Sequence, residues 1–101
     1  MSLEKKFLKA KPVCKVKFSL DGDQYKSASS ILLVGDFNNW QLGETPLKTA
    51  KTGVWSVSLD LETGKSYQFR YLIDGSNWEN DPEADSFIPS GLGSENSVVA
   101  L

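Results

Sequence analysis

Val54-Trp55-Ser56-Val57-Ser58-Leu59-Asp60-Leu61, a break at Glu62-Thr63-Gly64-Lys65, then Ser66-Tyr67-Gln68-Phe69-Arg70-Tyr71-Leu72-Ile73-Asp74-Gly75: the fold class is decided in this stretch. In the first run Trp55, Val57, Leu59 and Leu61 alternate with Ser56, Ser58 and Asp60. In the second Tyr67, Phe69, Tyr71 and Ile73 alternate with Gln68, Arg70, Leu72 and Asp74. A period of two is that of a strand with one buried face. The polar break predicts an antiparallel hairpin of 54–61 against 66–73. Asp74-Gly75 predicts the next reversal. Trp55, in register with Val57 and Leu59, is expected in the core.

Outward from there the same period recurs. Cys14, Val16, Phe18 and Leu20 alternate with Lys15, Lys17 and Ser19, which puts Cys14 among the buried small hydrophobes. Ile31–Gly35 is a short continuous apolar run and reads as a central strand, and Val98–Leu101 is a last apolar run. Only Leu3–Ala10 has helical character. No repeat or linker divides the 101 residues, a length suited to one domain. Many short strands punctuated by Gly and Asn/Asp predict an all-β fold, an antiparallel β-sandwich.

Composition excludes several chemistries. One cysteine and no histidine leave no internal disulfide framework, no Cys/His zinc site and no histidine base. Eleven basic against thirteen acidic residues give a net charge of −2, with no bulk attraction to nucleic acid. Lys5, Lys6, Lys9, Lys11, Lys15 and Lys17 crowd the start, a pattern expected of a solvated strand edge and a soluble terminus. No apolar run approaches the ~18 residues of a membrane helix, and no signal-peptide core follows Met1, so the expected location is cytoplasmic, away from membranes.

Asp81, Glu83 and Asp85, beside Pro82, are expected in a solvated loop where nothing apolar raises a carboxyl pKa, so they are no glycosidase pair. The segment also fails as a calcium loop, with Ser86 at the sixth position and Leu92 at the twelfth. The tryptophans carry more. Trp40 closes Gly35-Asp36-Phe37-Asn38-Asn39-Trp40, and Trp78 follows Asp74-Gly75-Ser76-Asn77; both have polar neighbours and neither sits in an alternating run. Such rings either fold back as lids on the core or form an exposed platform. As a platform, an indole face stacks on the C–H face of a sugar ring, while amides and a guanidinium such as that of Arg70 meet the hydroxyls.

At these residues the chain resembles carbohydrate-binding module family 48, which includes N-terminal domains of isoamylases and branching enzymes and the glycogen-binding domain of the AMP-activated protein kinase beta subunit. The resemblance rests on Gly35-Asp36-Phe37-Asn38-Asn39-Trp40, Tyr67 to Gly75, Trp78, Asp81-Pro82 and Leu92-Gly93-Ser94-Glu95-Asn96 in this order, and covers about residues 13–101. It implies an immunoglobulin-like β-sandwich of the early-set type over 13–101, with 1–12 as an N-terminal extension. It also implies non-catalytic binding of α-1,4-linked glucan such as glycogen or starch. Carried over by position, the carbohydrate-binding residues are Trp40, Arg70, Trp78, Leu92, Ser94 and Asn96, with Arg70 in place of a lysine and Ser94 in place of a threonine. No cofactor, metal or catalytic residue is implied. The expected partner is an α-glucan, with a glucan-metabolising enzyme as a second. The alternative is a protein-interaction module that docks such an enzyme or a kinase-like partner, its sugar binding vestigial. Burial of Trp40 and Trp78 would favour that alternative.

Overall fold

The computed structural model describes residues 3–91 and 93–101. Its strands are β1 (Leu3–Phe7), β2 (Val13–Leu20), β3 (Ile31–Gly35), β4 (Lys48–Thr49), β5 (Trp55–Glu62), β6 (Ser66–Ile73), β7 (Asn77–Glu79), β8 (Ser86–Pro89) and β9 (Glu95–Ala100). One antiparallel sheet has the order β1-β2-β5-β4; the other has the order β3-β6-β9-β8, with β7 also paired to β6. This is the two-sheet arrangement of an immunoglobulin-like sandwich, and all-β as expected. Between the sheets lie Val16, Phe18, Leu33, Phe69, Tyr71 and Val99, all buried. Phe18 meets Phe69 edge-on, at 5.2 Å and 75°.

The expected hairpin of 54–61 with 66–73 does not form. β5 pairs with β2 and β4, whereas β6 pairs with β3, β9 and β7, so the Glu62–Lys65 break carries the chain from one sheet to the other. Alternation reports that each run has a buried face. It does not report whether two runs share a sheet or face each other across the core. The corner is held by local bonds. Thr63 N–H donates to Pro12 C=O at 3.0 Å, Leu101 N–H donates to Lys65 C=O at 2.9 Å, and the Tyr67 hydroxyl donates to Glu62 C=O at 2.9 Å. Gly64 takes a φ of +80°, a conformation that favours glycine.

Two further expectations are corrected. Ile31–Gly35 is an edge strand, not a central one. Its free side is covered by the following loop: Leu33 N–H donates to Thr45 C=O at 2.9 Å, and Leu47 N–H to Ile31 C=O at 2.8 Å. Covering an edge this way removes a template for aggregation and buries the strand as a central one would be. The segment with helical character, Leu3–Ala10, instead supplies β1, with Leu3 opposite Phe18 and Phe7 opposite Cys14. Part of residues 1–12 is therefore the edge strand of the first sheet. The gain from pairing with an existing sheet outweighs a weak helical propensity.

β1 is pinned across the sandwich. Lys5 Nζ reaches Asp85 Oδ2 at 2.7 Å and Ala100 C=O at 3.1 Å. Burial works to raise the Asp85 carboxyl, but the Ala100 N–H and the Lys5 ammonium outweigh it and hold the carboxyl below its ordinary value. A depressed folded pKa adds stability above the unfolded value of about 3.9, and that stability is lost as pH falls through the folded pKa. Lys5→Ala is expected to cost no more than about 1 kcal/mol at pH 7, because the pair is partly solvated. The difference from wild type should shrink below about pH 4, as urea midpoints at pH 7 and pH 3 would reveal.

Asp81 departs most from expectation. Glu83 and Asp85 are exposed, but Asp81 is fully buried. Its carboxylate accepts the Tyr71 hydroxyl at 2.8 Å and the Glu83 N–H at 2.9 Å, and its own N–H donates to Ser97 Oγ at 2.8 Å. Burial, and then the neighbouring Asp81 charge and hydrogen bond, push the Tyr71 phenol far above its ordinary pKa.

Candidate functional site

The outward residues of the second sheet build a single face. On β6, Phe69, Tyr71 and Ile73 point inward, so Gln68, Arg70 and Leu72 point outward. Register carries that face onto the neighbours: Val34 lies opposite Arg70, Trp78 opposite Leu72, and Val98 opposite Gln68, with Asn96 two residues before Val98. The tight Asp74-Gly75-Ser76 reversal, with φ of +53° at Asp74 and +73° at Gly75, returns the chain so that Trp78 stands on this face. Trp78 is 45% exposed.

Arg70 sits in a polar cluster. Its Nε donates to Asn96 Oδ1 at 2.6 Å, and its Nη2 donates to Ser94 Oγ at 2.6 Å. Asn96 Nδ2 in turn donates to Gln68 Oε1 at 3.0 Å. Ser90 and Ser94 close the adjoining turn, with Ser90 N–H donating to Ser94 C=O at 2.9 Å. Arg70, Ser94 and Asn96 are thus in direct contact. Leu92 lies outside the described residues.

Trp40 stands in the loop after β3, which Asp36 ties to β6, and the neighbouring residues of that loop fix its place. Gly35 lies so close to β6 that a Cβ would sit 2.5 Å from Gln68 C=O and 2.8 Å from Phe69 Cβ. Gly35→Ala is expected to cost about 1–3 kcal/mol through overpacking, measurable as a lowered urea midpoint. Phe37 packs against Phe18, at 5.6 Å between ring centroids. The Asn38 side chain accepts from Gly35 N–H at 3.0 Å and donates to Leu33 C=O at 2.9 Å and Thr45 Oγ1 at 3.1 Å. Asn39 and Trp40 both have φ of +57°, uncommon for a bulky residue and costly. Trp40 is held there by its N–H on Gly35 C=O at 2.9 Å and its indole Nε1–H on Asp36 Oδ1 at 2.8 Å. The ring stays 36% exposed.

Asp36 also joins the loop to the sheet, because its Oδ2 accepts the Gln68 N–H at 2.8 Å. Trp40, Asp36, Gln68, Asn96, Arg70 and Ser94 therefore form one connected hydrogen-bonded series. Sequence reasoning did not single out Asp36 or Gln68. Gln68 was findable, being two residues before Arg70 in an alternating strand. Asp36 carried no periodic signal. Both tryptophan rings are exposed to solvent, and neither belongs to the core cluster. Chemically the face offers apolar planes and hydrogen-bond partners. Among the described residues no His/Cys/Asp/Glu group is arranged to hold a metal ion, and no helix is long and apolar enough to cross a membrane.

A sandwich with exposed aromatic rings and neutral polar groups on one sheet defines a class of ligand-binding modules. Residues 25–87 match the sequence profile of carbohydrate-binding module 48 (isoamylase N-terminal domain), and the chain belongs to that family. It is also similar to Protein PTST homolog 2, chloroplastic, of Arabidopsis thaliana, 39% identical over 75 residues, which is 74% of this chain and 13% of that protein. The 1,4-alpha-glucan branching enzyme GlgB of Aquifex aeolicus is 38% identical over 63 residues, 59% of this chain and 10% of the enzyme. GlgB 2 of Clostridium perfringens strain 13 is 40% identical over 63 residues, 56% of this chain and 10% of the enzyme. The chain thus spans 13% or less of the length of these relatives.

Proposed function

We propose that this chain binds α-1,4-linked glucan, of the glycogen or starch type, and catalyses nothing itself. The observation that carries this reading is exposed Trp78 on the sheet face that holds the Arg70–Asn96–Ser94 cluster, with a second exposed indole, Trp40, in a loop tied to the same sheet through Asp36. Family membership supports the carbohydrate class, and the 1,4-alpha-glucan in the names of two relatives supports the linkage. Trp40 and Trp78 stack on glucose rings, while Arg70, Ser94 and Asn96 bond to hydroxyls. Leu92 packs against the curved chain, a role that rests on the family resemblance. Two stacked rings, after association costs, correspond to a Kd of about 10 µM to 1 mM.

Tryptophan fluorescence titrated with a linear or cyclic α-1,4-glucan oligomer tests this, with cellulose oligomers as the control. A saturable change with the α-glucan alone is the expected result. No change up to several millimolar α-glucan would sink the reading.

A second reading has its own observation. The outer face of the first sheet carries exposed Lys6, Lys15, Lys17 and Lys48, none of them in an ion pair, with exposed Glu4 opposite Lys17 and Asp60 opposite Lys15, so four cations stand against two acids. Its modest excess of positive charge favours an acidic surface of a glucan-metabolising enzyme, and its use does not exclude glucan on the other sheet.

A further inference from the structure

The outward row of side chains through Arg70 runs on past the polar cluster. Val34 lies opposite Arg70, the Arg70 Nε bonds to Asn96, and Ile88 of β8 lies opposite Asn96. Residues directly opposed on antiparallel strands share a face, so Ile88 stands on the face of Arg70 and Trp78. It is one strand spacing, about 5 Å, from Asn96 and two from Arg70. The other aliphatic side chains around the cluster, Val34, Leu72 and Val98, are buried, whereas Ile88 is 40% exposed. Its exposed neighbour Phe87 lies opposite Ser97 and so belongs to the other face of the sheet. β8 is an edge strand, paired only with β9, but this edge is unsuited to adding a further strand. It is four residues long and ends in Pro89, which has no N–H to donate.

An exposed aliphatic side chain beside an amide matches one sugar ring, whose C–H groups seek apolar cover and whose rim hydroxyls need polar partners. The order of the strands sets how far a chain must extend to use it. In the sheet β3-β6-β9-β8, the Trp40 loop follows β3 at one edge and Ile88 lies on β8 at the other. A ligand covering both margins crosses three strand spacings, about 14 Å. We propose that Ile88 is a further glucan contact at the β8 margin, reached by chains long enough to run from the tryptophans past Arg70 and Asn96, so that the site favours longer oligomers. The proposal rests on the glucan reading above and adds a chain-length preference, with the residue that sets it.

The test titrates the protein with a linear α-1,4-glucan trisaccharide and heptasaccharide, following isoleucine methyl signals by NMR. The sequence has three isoleucines, Ile31, Ile73 and Ile88, and the first two are buried. In the wild type the Ile88 methyl signals should shift as the heptasaccharide saturates the site. Ile88→Ser should lower the ratio of heptasaccharide to trisaccharide affinity by about threefold to tenfold, the effect of uncovering part of one aliphatic side chain. Ile88→Leu should restore most of that ratio, because the contact needs apolar surface rather than one shape. Ile88 lies outside the core cluster, so the variants should fold, and the wild-type methyl shift needs no variant. A bound heptasaccharide that leaves the Ile88 methyls unmoved, or an unchanged ratio in Ile88→Ser, would overturn this proposal and leave the glucan reading standing. Failure of the heptasaccharide to bind the wild type would overturn both.

Discussion

Asp81→Ala is expected to destabilise the fold by about 2–4 kcal/mol, the largest stability loss of any single substitution proposed for this chain. The Tyr71 hydroxyl is completely buried and donates to Asp81 Oδ2 at 2.8 Å. Alanine would leave that hydroxyl with no acceptor in a dry interior, and would also strand the Glu83 N–H, which Asp81 Oδ1 accepts at 2.9 Å. Each abandoned donor costs about 1–3 kcal/mol. For a domain of this size the loss corresponds to a fall in Tm of about 10 °C or more. Tyr71→Phe removes the donor as well as the demand, so the double variant should be less damaged than the two single losses added together. Additive losses in that double-mutant cycle would mean that Asp81 stabilises the fold by some other route.

The same buried bond sets an alkaline limit. The folded pKa of Tyr71 lies above its unfolded value, raised first by burial and then by Asp81. Tyr25, which donates to Glu79 Oε1 at 2.8 Å, is likewise pushed up to about 12, first by burial and then by that hydrogen bond. Stability from such groups is fully present below the unfolded phenol pKa of about 10 and is lost as pH rises through the folded values.

The buried Tyr71 phenol and its partner Asp81 mark where the sequence was hard to read. The alternating runs were legible as strands because one face of each is wholly apolar. What alternation could not convey was which strands pair. The Glu62–Lys65 break looks like a hairpin turn, and only the bonds from Thr63 to Pro12 and from Tyr67 to Glu62 make it a corner between sheets. Asp81 was misread for a related reason. A lone acid next to proline and among other acids has the composition of a loop, and the tyrosine that buries it lies ten residues earlier on another strand. The site was more legible than the pairing. Trp40 and Trp78 interrupt the apolar pattern and so stood out, and Arg70 stood out as a charge between aromatics. Asp36 did not, because its work is to join a loop to a sheet across 32 positions of sequence.

That join governs the second large effect. Trp40→Ala should weaken binding of an α-1,4-glucan oligomer by between fivefold and a hundredfold, taking about 1–3 kcal/mol for one aromatic stack. Trp78→Ala should do the same, because its ring is the more exposed of the two and stands opposite Leu72 on the same face. Neither ring contributes much to the core, so both variants should unfold near the wild-type urea midpoint, and Trp55, partly buried against the core, remains as the fluorescent reporter. Asp36→Ala separates the ring from its placement. It leaves the indole intact but removes the acceptor that holds Nε1–H at 2.8 Å while the backbone keeps φ of +57°. A freed ring must be ordered by the sugar at an entropic cost, so binding should fall by a smaller factor than in Trp40→Ala. The indole N–H resonance of Trp40 should shift in Asp36→Ala before any sugar is added. Unchanged affinity in Trp40→Ala would show that its exposed face is not a sugar platform.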